Sequence, residues 1–84
     1  MTIQVLYFAG MRDLFQCARE SVDLQPGATL GDLKELLFSR KPEGRLQAAS
    51  LAWGVNFEFS GLQTALQDGD EVAMLPPVSG GSQA

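Results

Sequence analysis

A chain of 84 residues, 45% of them hydrophobic, has room for one small domain, which at this size buries roughly 60% of its unfolded surface. Six Lys and Arg against ten Asp and Glu leave a net charge of −4, the wrong sign for a phosphate backbone or an anionic membrane surface, so neither nucleic acid nor membrane is an expected partner. Histidine is absent and Cys17 is the single cysteine, which removes imidazole catalysis, imidazole metal ligation, an internal disulfide and a thiolate metal cage.

Residues 3–9, Ile-Gln-Val-Leu-Tyr-Phe-Ala, are β-branched and aromatic with one polar member and predict a central strand buried on much of both faces. Gly10 is read as its break, and Met11, Leu14 and Phe15 then recur at helical spacing in a short helix or turn. Glu20 to Leu24 alternates as a half-buried edge strand does, and Gln25-Pro26-Gly27 ends it with turn chemistry. Thr29 and Asp32 have the spacing of a capping box, and Leu30, Leu33, Leu36 and Leu37 follow on one face. The pattern predicts the main helix over about 30–40, stopped by Pro42, with one further helical turn within 43–50. Leu51 to Phe59 reads as a broken strand with a bulge or turn near Gly54 and Asn56. Asp68-Gly69-Asp70 turns into a last strand, Glu71 to Leu75, which stops at Pro76-Pro77. The order is that of an α+β chain with a β-grasp, ubiquitin-like arrangement, a mixed sheet wrapped around one main helix. The domain is expected over residues 1–76, and residues 77–84, which carry Gly80-Gly81, are expected as a flexible tail. The start Met-Thr-Ile-Gln-Val lacks the basic flank and small-residue cleavage site of a signal peptide, and apolar runs of about 18 residues are missing, which sets the cytoplasm as the expected location.

Strand parity singles out one surface. If Ile3, Val5, Tyr7, Val72 and Met74 face the helix, then Leu6, Phe8, Ala73 and Leu75 gather on the opposite face. A sheet covered on one side has a polar outer face, so this apolar group is either a partner surface or is buried by the 51–63 segment folding over it. Close by in sequence, two prolines and two glycines between Pro76 and Gly81 make a stiff, then slender, chain end. Four extended residues from Val78 reach roughly 13 Å, a form suited to threading a narrow channel, although a plain small-residue terminus reads the same way. Cys17 has no histidine to activate it and is read as a structural thiol. Asp68 and Asp70 are read as turn chemistry, the cluster they make with Glu71 as three carboxylates that would bind a divalent ion only weakly, and Trp53 as core.

Several of these segments resemble one family. They are the opening Ile3 to Ala9 followed by Arg12-Asp13-Leu14, the cap at Thr29, the Val55-Asn56 pair, and the ending from Leu66 through Asp68-Gly69-Asp70-Glu71-Val72-Ala73, Pro76-Pro77-Val78 and Gly80-Gly81. Together they are similar to the small subunit of molybdopterin synthase, the MoaD-type sulfur carriers of the MoaD/ThiS class of ubiquitin-like proteins. The resemblance implies a non-catalytic carrier subunit of a sulfurtransferase complex in molybdenum cofactor biosynthesis, a heterotetramer in the family. Its working residue would be Gly81, whose carboxylate an E1-like adenylating enzyme activates with ATP and Mg and a sulfur donor converts to a thiocarboxylate. The chain itself would bind no cofactor or metal. The tail, Pro76, Pro77, Val78, Ser79, Gly80 and Gly81, would enter the large catalytic subunit and pass sulfur to cyclic pyranopterin monophosphate. Phe8, Phe59 and Leu75 match family positions that pack against that subunit. Family members usually end at the glycine pair, whereas Ser82-Gln83-Ala84 follow here. Those residues are either removed by a protease, a cloning remnant, or the mark of a member without carrier activity. A ubiquitin-like protein modifier and a carrier for thiamin or tRNA thiolation are the alternatives that share the chemistry.

Overall fold

The computed structural model describes residues 1–75. The anticipated tail and the positions Pro76, Pro77, Val78, Ser79, Gly80 and Gly81 lie outside the described residues. In chain order the elements are β1 (Thr2–Tyr7), α1 (Ala9–Phe15), β2 (Arg19–Asp23), α2 (Leu30–Arg40), a 3-10 turn (Pro42–Gly44), α3 (Arg45–Ala48), β3 (Ala52–Val55), β4 (Glu58–Phe59) and β5 (Glu71–Leu75). The strands form one sheet in the order β2-β1-β5-β3-β4. β1 and β5 run parallel at its centre, and the other neighbours pair antiparallel.

The sheet grips α2 on one face, which is the β-grasp arrangement. Leu30, Leu33, Leu37 and Phe38 of α2 pack into the same core as Ile3, Val5 and Tyr7 of β1, Val22 of β2, Trp53 and Val55 of β3, and Val72 and Met74 of β5. Each strand contributes alternate residues, because successive side chains point to opposite faces. The helix starts where the capping box puts it: the Asp32 N–H donates to the Thr29 hydroxyl at 3.2 Å and the Thr29 N–H donates to the Asp32 carboxylate at 2.9 Å. It ends at Arg40, two residues before Pro42. The chain then passes so close beneath α1 that a Cβ on Gly44 would collide with Leu14 and press on Phe38 at 3.0 Å.

Two boundaries differ from the sequence reading, and the bulge or turn expected near Gly54 and Asn56 is narrowed to a turn. β1 stops at Tyr7 rather than Ala9, and Gly10 lies inside α1 instead of breaking the strand. Ala9 takes a positive φ of 50°, so the chain turns directly from strand into helix. The 51–59 region has no bulge at Gly54, which stays in register with Ala73 and Phe59. The interruption is a two-residue turn at Asn56-Phe57, with φ of 51° and 71°. A two-residue hairpin loop with both central φ positive is a type I′ turn, whose twist matches that of the flanking strands.

Candidate functional site: an apolar groove on the outer sheet face

Directly opposed residues share a face, so the register sets the composition of the side turned away from α2. One row of Cα partners runs across all five strands as Arg19, Leu6, Ala73, Gly54 and Phe59. Its middle members carry a methyl group and no side chain at all. The sheet is therefore low at Ala73 and Gly54 and high on both sides. Leu75 stands above this floor in register with Ala52. Phe8, just past the end of β1, and the β3–β4 hairpin supply the rims. The result is an open groove of about 250 Å³, lined by Leu6, Phe8, Gly54, Phe57, Glu58, Phe59, Glu71, Ala73 and Leu75.

The alternatives left by strand parity are thereby decided. The 51–63 segment does not fold over the face: Phe59 is 75% exposed and Phe57 93%, so the hairpin walls the groove without closing it. Large apolar side chains left in water at one place on a small protein mark a binding surface. The groove's charge is one-sided. The Glu71 carboxylate lies 3.7 Å from Arg19 at one end, while Glu58, opposed to the core residue Val55, borders the floor at Gly54 with its backbone carbonyl.

The hairpin is held in place from the next strand. The Asn56 side-chain amide donates to the Asp70 carboxylate at 2.9 Å, its oxygen accepts the Glu71 N–H at 3.0 Å, and the Asn56 N–H donates to the Glu71 carbonyl at 2.8 Å. The acidic turn is occupied in the same way. Asp70 also accepts the Gln67 N–H at 2.8 Å, and Asp68 accepts the Thr2 N–H at 2.7 Å. These carboxylates satisfy backbone donors, in accord with the reading as turn chemistry. Among the described residues no three Cys, Asp or Glu side chains converge as metal ligands.

Behind the sheet lies a polar group that the sequence did not disclose. Tyr7 is buried and stacks on Phe15 with ring centroids 4.4 Å apart, and its hydroxyl donates to the Glu20 carboxylate. Glu20 in turn lies 3.7 Å from Arg40. Burial, reinforced by the adjacent Glu20 carboxylate, holds the phenol well above its ordinary ionisation range. This cluster ties β1, β2 and α2 together on the core side and does not reach the groove. Cys17 is partly buried against the core, and Trp53 belongs to it.

Comparison with known proteins gives this geometry a context. The ThiS family matches residues 5–81. The chain belongs to the ThiS family. A molybdopterin synthase sulfur carrier subunit from Mycobacterium tuberculosis is 38% identical over 80 residues, covering 94% of this chain and 96% of that protein. Among solved structures, small archaeal modifier protein 1 (SAMP1) from Haloferax volcanii superposes with a TM-score of 0.83 at 27% identity, over 96% of this chain and 100% of that one. A chain in the complex of subunits 1 and 2 of molybdopterin-converting factor from Helicobacter pylori matches with a TM-score of 0.69 at 26% identity, over 96% of this chain and 100% of that one.

Within this ThiS-family fold, Phe8, Phe59 and Leu75, named from the sequence, converge on the one groove. The rim residue Phe57 has no mark in the sequence reading, and Gly54 is read there as an interruption of the strand rather than a floor. A Val-Asn-Phe-Glu-Phe run carries the signal in principle, since asparagine favours the first position of a type I′ turn. Once the turn is placed at Asn56-Phe57, the strand pairing assigns Gly54 and Phe59 to the outer face.

Proposed function

We propose that this chain is the sulfur-carrier subunit of a molybdopterin synthase. The groove docks onto the large catalytic subunit, and Gly81 carries the sulfur. The observation that carries the reading is the open groove itself, which has Leu75 in its wall. Leu75 is the last described residue before Pro76 to Gly81, so docking at the groove fixes the point from which the glycine pair is offered. Six residues beyond Leu75 reach at most roughly 20 Å, far enough to enter a neighbouring active site. The relative from Mycobacterium tuberculosis and the two-subunit complex from Helicobacter pylori support both halves of the reading.

The chemistry needs little from the body of the chain. A carboxylate is a poor acyl electrophile. In the adenylating partner, the Gly81 carboxylate attacks the α-phosphate of Mg-bound ATP and pyrophosphate leaves. A sulfur nucleophile from the donor then displaces AMP, which leaves a thiocarboxylate. Glycine keeps the approach unhindered, and the large subunit holds the thiocarboxylate sulfur against cyclic pyranopterin monophosphate. Because Ser82 follows Gly81, the Gly81 carboxyl group is held in a peptide bond, and hydrolysis of that bond by a protease must come first.

The test is reconstitution of the chain ending at Gly81 with an adenylating enzyme, ATP, Mg and a sulfur donor. Intact mass is expected to rise by one oxygen-to-sulfur exchange. Addition of the large subunit and the pterin precursor is then expected to yield molybdopterin. The same chain ending at Ser79 is expected to give neither; unchanged pterin sulfuration by that shorter chain would end the proposal. The likeness to SAMP1 supports a second reading as a protein modifier, for which isopeptide adducts at Gly81 are the distinguishing product.

A further inference from the structure

The sheet ends in two unlike edges: β4 has two residues and β2 has five. β2 pairs only with β1, and its ends fix the phase of that pairing. The Leu24 N–H donates to the Met1 carbonyl and the Met1 ammonium to the Leu24 carbonyl, both at 2.8 Å, and the Tyr7 N–H donates to the Ala18 carbonyl at 2.9 Å. Hydrogen-bonded and non-bonded pairs alternate along an antiparallel ladder. Glu20 and Val22 therefore turn their backbone groups toward β1, while Arg19, Ser21 and Asp23 turn theirs out of the sheet. Among the described residues, no strand or loop takes up these outward N–H and C=O groups. An unpaired edge is a template for another chain, and charged side chains on it normally discourage pairing. Here the charges are disposed symmetrically about Ser21. Arg19 stands two residues before it and Asp23 two after, both exposed and both on the outer face.

We propose that β2 is a self-association surface, on which a second copy of this chain adds its own β2 antiparallel across the edge, centred on Ser21. In that register Arg19 of each copy opposes Asp23 of the other, Ser21 meets Ser21, and every outward N–H finds an outward C=O. Parallel pairing in register would set Arg19 on Arg19 and Asp23 on Asp23. Slipping the antiparallel register by two residues would leave both charges unopposed. The charge pattern thus selects one arrangement and disfavours its neighbours. On the core side Glu20 would oppose Val22, and Glu20 already accepts from the Tyr7 hydroxyl and lies 3.7 Å from Arg40, so no unpaired carboxylate is buried there. Arg19 lies 3.7 Å from Glu71 with 59% of its side chain exposed, and Asp23 accepts from the Thr2 hydroxyl at 3.0 Å; contacts this exposed are weak and leave both charges available. The two-fold axis stands normal to the sheet. It joins the two sheets edge to edge, with both α2 helices on one side and both grooves open on the other.

The experiment is sedimentation equilibrium of the full chain alone, from micromolar to millimolar concentration, with thermal unfolding to establish that each variant folds. The wild type is expected to show a reversible monomer–dimer equilibrium. Asp23→Arg and Arg19→Asp each set like charges opposite one another at both ends of the contact, and each is expected to raise the dissociation constant about tenfold. An equal mixture of these two variants is expected to recover the wild-type affinity as a heterodimer, because every Arg then meets an Asp. Ser21→Pro removes an N–H that points away from β1, a place where an edge strand tolerates proline, and is expected to abolish the dimer while the chain still unfolds cooperatively. A wild type that stays monomeric throughout this range would overturn the proposal. So would a dimer that persists at full strength in Ser21→Pro and in both charge variants. A dimer lost only in Ala73→Arg would place the contact in the groove, and would overturn the role of β2. The large subunit takes no part in these measurements, so the docking reading stands or falls separately.

Discussion

The two faces of one sheet follow opposite rules. On the α2 side, Ile3, Val5, Val72 and Met74 are fully buried, and their alternation gives each strand a single stable orientation. On the other side the same strands set Leu6, Ala73 and Leu75 in a half-exposed row, completed by Gly54 and by Phe59 at 75% exposure. The inner face maximises contact. The outer face leaves room, because its two central positions are occupied by the smallest residues available. Stability and recognition are thus separated by strand parity, and each face can be altered without the other.

The largest effect belongs to the inner face. Phe38 is fully buried and takes an edge-on contact from Phe15 at 5.7 Å. Phe38→Ala is expected to cost about 3–5 kcal/mol, a large share of the roughly 5–15 kcal/mol typical of a whole domain. Urea unfolding measures it. Any loss of docking in this variant should track the unfolded fraction and nothing else. The outer face should behave in the reverse sense. Ala73→Arg places a long charged side chain on the groove floor and is expected to weaken docking about 100-fold, the scale of a buried unpaired charge. Its unfolding free energy is expected to change by less than docking does, because the half-exposed Ala73 side chain opens onto the groove and not onto the core. A large stability change in Ala73→Arg would show that the faces are coupled.

That separation explains what could be read in advance. Periodicity and parity need only the local sequence, so the capping box at Thr29 and Asp32, the main helix, and the outward placement of Leu6, Phe8, Ala73 and Leu75 were all legible. Features that depend on register across strands were not. Gly54 becomes a floor only because it pairs with Ala73 on one side and Phe59 on the other. Phe57 becomes a rim only because a two-residue turn lifts it. The Tyr7 and Glu20 contact requires β2 to pair with β1 and α2 to lie across both. The strand ends at Tyr7, two residues short of what its composition predicts, since Phe8 and Ala9 carry strand-like chemistry that the turn into α1 overrides.

A smaller effect tests how the hairpin connects the faces. Asn56→Ala removes the bonds to the Asp70 carboxylate and the Glu71 N–H and leaves a less suitable residue at positive φ. It is expected to destabilise by about 1–2 kcal/mol. Because these bonds aim Phe57, docking should weaken by more than the unfolded fraction explains, and Asn56→Asp should recover part of the loss by accepting from the Glu71 N–H. Parallel calorimetry and unfolding on both variants make the comparison.

The smallest effect is confined to the inner face and to alkaline pH. Tyr7 is the single tyrosine of the chain, and burial and Glu20 hold its phenol protonated far above the ordinary range. In the unfolded chain the same group ionises near pH 10. Above that pH the unfolded state binds fewer protons than the folded one, so stability falls as pH rises, by at most about 1.4 kcal/mol per pH unit from this group. Below pH 10 both states are protonated and the contribution is constant. Tyr7→Phe is expected to cost about 1 kcal/mol at neutral pH through the lost bond to Glu20, and to remove this part of the alkaline slope. The difference between the two proteins therefore narrows as pH rises, and tyrosinate absorbance should appear in the wild type only together with unfolding. Ionisation of Tyr7 in the folded protein near pH 10 would show that the Glu20 contact is open to water, and with it the seam between β1, β2 and α2.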